Sequence, residues 1–460
     1  MTKETDSSLF SRYVEMLKEY PWDFMIFIFL SMLIPRIYSM VNTYWVGHID
    51  YSALAIAEQY EFMGILIEIV NETIPFGVLA LVSQNYKDRN LVVKQLVAGL
   101  VLQLVLSSIL AVAILVNMNL FVDFIGTAPE LVDQTVSYLS LRAIALPFAS
   151  LSLLLLVGLK SMDKAKLALA IVTINVGLNM TLDVLLVSPL PFSLQLGLIG
   201  VAQGYLISNV VYCLLAFGAA VWTLQMRRRE WGLDPLISHS QPLFKVGGWT
   251  GLDSFVRNFF YFFVLQTLNF MGPNQYAGFQ LFQRIMWTAL IPVIAISQGT
   301  SIRVGNYLKE SDSEEKITSL LWTSCSLAFV IIGGFGIMGA FSIDAMGFFF
   351  TENAEVVGYS TIMFWWQILP YIIFAVSMNL RSLFFGTGKT YYILIVSLIL
   401  NLGVIVPFFY MMELLILPQV YESVMLMFVF VDFIDIIITY ILVRHLLDRY
   451  HSGATLLVDA

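Results

Sequence analysis

Four glutamates lie on one face of a strongly apolar stretch between residues 52 and 84. They are Glu58, Glu61, Glu68 and Glu72. If the stretch is helical, at about 100° per residue, all four fall within an arc of roughly 80°. Each ionised carboxylate in hydrocarbon costs about 2.5–3.5 kcal/mol, so this face should meet water, a cation or another acid. Two interpretations stay open: a cavity face that relays protons or attracts cations, and a structural network neutralised by arginines such as Arg36.

A second polar face lies in the stretch TINVGLNMTLDVLL at residues 173–186. Asn175, Asn179 and Asp183 recur at steps of four residues, which places two amides and a carboxylate on one side of a helix. Such a face can bind a cation. It can equally hydrogen-bond to other helices of a bundle, where each contact contributes around 0.6 kcal/mol. The spacing alone leaves both interpretations open.

Other polar residues lie in the second half of the chain. Asp253 and Arg257 are four residues apart, which favours a self-neutralising ion pair on one helix. Gln280 lies four residues before Arg284, whose guanidinium could balance buried acids or bind an anionic group.

Two aspartates near the C-terminus, Asp432 and Asp435, are three residues apart. They predict either an acidic site or the rim of a cavity, and the rim is favoured. The four histidines lie at loops and chain ends and lack the spacing of metal ligands. GTGK at 386–389 lacks the full spacing of a phosphate-binding loop, so nothing indicates nucleotide-driven chemistry.

The composition decides which elements position these residues. Of 460 residues, 59% are hydrophobic and 12% are charged. A soluble domain is typically about 45–50% apolar and about 25% charged, so a soluble enzyme is excluded. The apolar runs are continuous, which favours spanning helices of about 20 residues over spanning strands. Twelve spans are predicted, at 22–48, 52–84, 96–117, 134–159, 167–187, 197–225, 246–271, 275–306, 317–340, 357–385, 391–412 and 423–446.

Lysine and arginine cluster in alternate gaps between these spans and near both ends of the chain. This asymmetry predicts cytoplasmic termini. We expect an N-lobe at 1–226, a cytoplasmic linker at 227–245 and a C-lobe at 246–460. Asn85-Tyr86-Lys87 and Leu146-Pro147 have counterparts at Asn306-Tyr307-Leu308-Lys309 and Leu369-Pro370. Their near-constant offset suggests a parallel repeat, a plan that transporters use.

Several motifs are similar to those of the multidrug and toxic compound extrusion (MATE) family of the flippase-like MOP superfamily. VNTYWVGHIDYSALA at 41–55 resembles the family's helix 1 ending, and LALVSQNYKDRN at 79–90 resembles its "L-V-S-Q-x-x-G-A". The remaining matches, in family order, are NVGLNMTLDVLLV at 175–187, GLIGVAQGYLIS at 197–208, SIRVGNYLKESD at 301–312 and LRSLFFGTGKT at 380–390.

This resemblance implies an all-α membrane protein of twelve helices in two pseudo-symmetric six-helix lobes around a central cavity. Asp183 and Asn179 fall on positions that bind the coupling ion in the DinF-type branch. Asn42 stands where the family usually has an aspartate. Arg257 and Ile372 stand near two acids of the NorM-type branch, so its C-lobe cation site is expected to be absent.

The predicted function is antiport, in which inward H+ or Na+ drives export of organic, cationic or amphiphilic compounds. The expected coupling-ion site comprises Asp183, Asn179, Asn175 and Asn42, with Na+ at Asp183 as the only metal. Residues expected to contact substrate or relay protons are Glu61, Glu68, Glu72, Glu58, Asp253, Arg257, Gln280 and Arg284. No cofactor and no nucleic acid is expected, and the chain should be a monomer in the plasma (inner) membrane.

Two other functions stay open. A flippase for a lipid-linked or amphiphilic anion would use Arg36, Arg257 and Arg284 as head-group contacts. A membrane-embedded enzyme such as an acyltransferase would need a nucleophile or a histidine cluster, and the histidine distribution argues against it.

Overall fold

The computed structural model describes residues 14–47, 49, 51–226, 230, 233–310 and 312–451. Within helices, the side chains of Glu58 and of residues 233–237 lie outside this description, as do those of Tyr44, Tyr51, Leu54, Ala55 and His451. The described residues are almost entirely helical, which confirms the all-α prediction for this part of the chain.

Seventeen α-helices begin and end within the described residues. The first eight are α1 Trp22–Gly47, α2 Tyr51–Glu58, α3 Tyr60–Gln84, α4 Arg89–Val116, α5 Met118–Ile125, α6 Val132–Ser161, α7 Ala165–Leu186 and α8 Gly197–Leu224. The next six are α9 Leu233–Met271, α10 Pro273–Ala289, α11 Ile291–Tyr307, α12 Ser313–Phe350, α13 Ala354–Leu380 and α14 Ser382–Thr387. The last three are α15 Tyr391–Leu400, α16 Val406–Glu413 and α17 Tyr421–His451.

The chain divides into two compact units, and the division falls within α1 and α9. The N unit comprises residues 26–251, and its core is centred on buried residues such as Tyr138, Leu139 and Met63. The described part of the C unit comprises residues 14–25 and 252–451, and its core includes the buried rings of Phe279, Phe282 and Phe364.

Ten of the described helical segments are long and apolar enough to cross a membrane. The pair α10 and α11, bent by 49°, adds an eleventh if it forms a single span. The predicted span at 246–271 lies inside α9 but does not belong to this group. Asp253, Arg257 and Asn258 lower its apolar character, because three strongly polar residues fall within one and a half turns.

Four predicted spans are interrupted, one of them at Arg381 between α13 and α14. Predicted helix 2 ends and restarts at Gln59, whose Oε1 accepts a hydrogen bond from Thr127 Oγ1 at 2.9 Å. The break between α10 and α11 lies just before Pro292, which has no N–H to continue a helical ladder. A π-helical segment, Asn401–Ile405, joins α15 to α16 and precedes Pro407. Two of the four interruptions therefore have a proline as their local cause.

Candidate functional site

Asp183 is the centre of a polar cluster inside the N unit. Its side chain lies on α7, and the residue is 3% exposed. The hydroxyl of Tyr38 donates to Asp183 Oδ2 at 2.8 Å, and Asn42 Nδ2 donates to the same oxygen at 3.3 Å. Asn42 Nδ2 also lies 3.3 Å from the Tyr38 oxygen. Tyr38 and Asn42 are one turn apart on α1, so both face α7 and hold one carboxylate oxygen between them.

The two asparagines of the same α7 face continue the cluster. Asn179 is 6% exposed, and its Oδ1 accepts a hydrogen bond from Ser208 Oγ of α8 at 2.7 Å. Asn179 Nδ2 donates to the backbone oxygen of Asn175 at 3.0 Å. The face predicted from the spacing of four residues is therefore polar along two turns. Asp183 is joined to α1, whereas Asn179 is joined to α8.

Arg142 on α6 is a feature of the N unit that sequence reasoning did not place in the site. Its guanidinium carbon lies 3.9 Å from the ring centroid of Tyr205, 4.4 Å from that of Tyr60 and 5.3 Å from that of Tyr138. Its Nε and Nη2 also donate to the Tyr138 hydroxyl, at 3.1 and 2.8 Å. We call these four residues the tyrosine cage. Each desolvated cation–π contact contributes about 0.5–2 kcal/mol.

The tyrosine cage brings a positive charge close to the Asp183 cluster. Arg142 is near enough to act electrostatically on both Asp183 and Tyr38. No carboxylate of the described residues forms an ion pair with Arg142. The N unit therefore holds a carboxylate and a guanidinium that influence each other without touching. Tyr138, four residues before Arg142 on the same helix, is the one feature of the sequence that could have indicated the tyrosine cage.

The described glutamate side chains of predicted helix 2 are more exposed to solvent than Asp183. Glu61 is exposed near the start of α3, and Glu68 and Glu72 are half-buried further along it. Glu58 ends the separate helix α2, and its side chain lies outside the described residues. The single continuous helix that was predicted to carry all four is therefore wrong at Gln59.

The predicted substrate contacts of the C unit lie on α9 and α10. Arg257 Nη1 lies 3.8 Å from Asp253 Oδ2, and Asp253 is buried whereas the Arg257 side chain is 47% exposed. Gln280 Nε2 donates to the hydroxyl of Tyr276 at 3.1 Å. Arg284 is exposed on α10.

A second charged cluster lies within the C unit. Arg381, at the end of α13, forms an ion pair with Asp435 on α17. Asp435 is 1% exposed, and Thr439 Oγ1 donates to the same oxygen, Oδ1, at 3.1 Å. Asp432 lies one turn before Asp435 on α17 and is half-buried. Asp435 is therefore a buried member of an ion pair rather than part of a cavity rim.

Comparison with known proteins identifies the family. A family model described as MatE matches residues 28–185 and 250–411. The chain belongs to the MatE family. Multidrug export protein MepA of Staphylococcus haemolyticus is 23% identical over 418 residues, which cover 80% of this chain and 87% of that protein.

Solved transporter structures share the fold. A MOP superfamily transporter from Pyrococcus furiosus gives a TM-score of 0.80 at 18% identity, covering 95% of this chain and 98% of the other. The Vibrio cholerae MATE transporter VcmN in its bent form gives a TM-score of 0.81 at 15% identity, with coverage of 95% and 98%. The resemblance read from the motifs, the two-lobe MATE fold and the divergence of this member are confirmed.

Family membership establishes the broad class of function. The protein is a multi-pass membrane transporter of small molecules and not an enzyme, and MATE transporters need no cofactor. The Asp183 cluster and the tyrosine cage both lie within the first matched segment, residues 28–185, except for the residues on α8.

Proposed function

We propose that this transporter is an antiporter, which exports organic cationic or amphiphilic compounds in exchange for H+ or Na+ by alternating access. The observation that carries the proposal is Asp183, a buried carboxylate whose described hydrogen-bond partners, Tyr38 and Asn42, are both donors. A buried carboxylate is stable only when donors, a cation or a proton compensate its charge. Asp183, with Asn42, Asn179 and Asn175, is assigned as the coupling-ion site.

The charge balance of the N unit gives this site a way to exchange one cation for another. When Asp183 is ionised, its negative charge offsets the positive charge of Arg142. When a proton or Na+ neutralises Asp183, the charge of Arg142 is no longer offset. A cationic substrate is then repelled, since uncompensated like charges repel strongly in a medium of low dielectric constant. Binding of the coupling ion therefore weakens binding of the substrate.

The other predicted residues have supporting roles in this proposal. Glu61, Glu68 and Glu72 attract the cationic substrate or pass protons towards Asp183, together with Glu58. In the C unit, Asp253, Arg257, Gln280 and Arg284 contact the substrate. The protein acts as a monomer in the plasma (inner) membrane, with both termini in the cytoplasm.

The test is transport by the full chain in reconstituted vesicles, with a pH gradient and a Na+ gradient imposed separately and ethidium as the organic cation. Asp183→Asn should abolish ion-driven ethidium transport. The matched control is Asp123→Asn, which changes an exposed aspartate of the N unit and should leave transport unchanged. Undiminished ion-driven transport by Asp183→Asn would overturn the assignment.

A flippase for a lipid-linked or amphiphilic anion is the alternative. The observation that favours it is the exposure of two cationic side chains of the C unit, Arg257 on α9 and Arg284 on α10. Ligand-induced shifts of thermal unfolding separate the two functions. Stabilisation by cationic dyes supports the antiporter, whereas stabilisation by a lipid pyrophosphate alone supports the flippase.

A further inference from the structure

The charged cluster of the C unit has an unequal number of acids and bases. Asp432, Asp435 and Arg381 contribute two carboxylates and one guanidinium. Asp432 lies eleven residues into α17, or roughly 16 Å from its start, which is near the midplane of a hydrocarbon core about 30 Å thick. If all three groups are ionised, one negative charge is left without compensation at a depth where such a charge is costly.

The ion pair uses Arg381 for Asp435 and not for Asp432. Arg381 and Thr439 both donate to Oδ1 of Asp435. Oδ2 of Asp435 is buried and has no hydrogen-bond partner among the described residues. Because positions three apart on a helix are neighbours, Asp432 and Asp435 lie on the same face of α17. Two neighbouring carboxyl groups readily share one proton, because the negative charge of one opposes ionisation of the other.

Asp432 receives no hydrogen bond from the described residues. Asp432 acts electrostatically on the phenol of Tyr371, a polar group of α13. That phenol donates to Gln283 Oε1 at 2.5 Å, so its proton is already used. The charged groups that act on Asp432 itself are Asp435 and Arg381. Its charge is therefore not stabilised by any donor of its own.

We propose that the pair Asp432–Asp435 is a proton-binding site of the C unit, in which Asp432 carries the proton at neutral pH. A proton balances the charge of the cluster and supplies the donor that the unsatisfied oxygen of Asp435 lacks. A metal ion fits less well, since hard cations take about six or more oxygen ligands. Within the described residues, no group of three or more acids, histidines or cysteines could hold a metal ion.

This site goes beyond the proposed function, because it adds a bound proton in the C unit to the coupling ion exchanged at Asp183. Infrared spectroscopy of the purified, reconstituted full chain tests it without any transport. At neutral pH, the difference spectrum of wild type minus Asp432→Asn should contain the carbonyl band of a protonated carboxylic acid. The matched control, Asp448→Asn, changes an exposed aspartate on the same helix and should not remove that band. A difference spectrum with only ionised-carboxylate bands overturns the proposal. Loss of the carbonyl band when Na+ is added also overturns it, because the site would then bind a metal ion in place of the proton.

Thermal unfolding shows whether the variants keep the fold. Asp432→Asn should unfold at the same temperature as wild type or higher, because the neutral amide of asparagine can donate to Asp435 in place of the protonated carboxyl group. Asp435→Asn should unfold at a lower temperature, because it leaves Arg381 without its partner. Asp183→Asn should retain the Asp432 band even if it stops transport, which separates failure of this site from failure of the proposed coupling site. Loss of the Asp432 band in that variant would contradict an independent site.

Discussion

The hydroxyl of Tyr38 lies 2.8 Å from Oδ2 of Asp183, although 145 positions separate the two residues. This contact links α1 to α7 and orients the carboxylate that we assign to the coupling ion. A hydrogen bond to a charged group contributes about 1.5–3 kcal/mol. Tyr38→Phe removes the donor and keeps the ring, so it should lower ion-driven transport about tenfold or more with little change in unfolding temperature.

Initial rates of dye transport in vesicles measure this effect. Tyr410→Phe is the matched control, because it removes a phenol hydroxyl from a residue that is 60% exposed. The control should transport at the wild-type rate. Equal rates for the two variants would show that the Tyr38 hydroxyl has no role in coupling.

The sequence predicted a role for Asp183 in the contact between Tyr38 and Asp183, but it predicted none for Tyr38. Asp183 was identifiable because a carboxylate followed two asparagines at helical spacing and the surrounding motif resembled the family. Asn42 was identifiable because it replaces a family aspartate. Tyr38 was not, since nothing in the spacing of a single tyrosine within an apolar run indicates a partner on another helix. Only the packing of α1 on α7 shows that its hydroxyl is directed at a carboxylate.

Arg142 was overlooked for a related reason. A guanidinium balanced by three aromatic rings has no counterpart in a charge pattern. Tyr60 and Tyr205 come from helices distant in sequence, and nothing in their spacing pairs them with Arg142. Local patterns predicted the helices well, because each helix is defined by a continuous apolar run. The interruption at Gln59 had no such local signal.

A double-mutant cycle between Arg142 and Asp183 tests their electrostatic relationship. Arg142→Met should destabilise the protein, because it removes the cation–π contacts of the tyrosine cage and the positive charge near Asp183. Combining it with Asp183→Asn should cost less than the two single changes together, with a coupling of about 0.5–3 kcal/mol. Thermal unfolding in detergent, followed by intrinsic fluorescence, supplies the four stabilities.

Arg142→Lys separates charge from shape in the same assay. Lysine keeps the positive charge but loses the planar group that stacks on the tyrosine rings. It should therefore retain most of the coupling to Asp183 and lose part of the stability. Strictly additive effects of the single changes would mean that the two charges do not interact.

His239 predicts how stability depends on pH. It lies near the start of α9, outside the apolar spans, where burial and the positive charge of Lys94 lower its pKa from 6.5. Between the folded and unfolded pKa values, the unfolded chain binds more protons, so stability rises with pH. The penalty is fully present below the folded pKa and disappears above about pH 6.5. Wild type should therefore lose stability as the pH falls below that value.

Unfolding temperatures at about pH 5.5 and about pH 7.5 measure this loss. His239→Gln cannot be protonated and should show a smaller difference between the two pH values. His445→Gln replaces an exposed histidine and should keep the wild-type difference. An unchanged pH dependence in His239→Gln would mean that other groups cause it.

Two adjacent glycines of α9 provide a sharp test of helix packing in the N unit. A Cβ at Gly247 would lie 1.8 Å from the backbone oxygen of Thr73 on α3, whereas a Cβ at Gly248 would meet only the Phe244 ring at 3.6 Å. Gly247→Ala should therefore destabilise the protein by roughly 3 kcal/mol, because a backbone atom cannot move aside. Gly248→Ala should be neutral or stabilising by up to about 1 kcal/mol, since alanine is the better helix former. Comparable unfolding temperatures for the two variants would show that α9 does not approach α3 this closely.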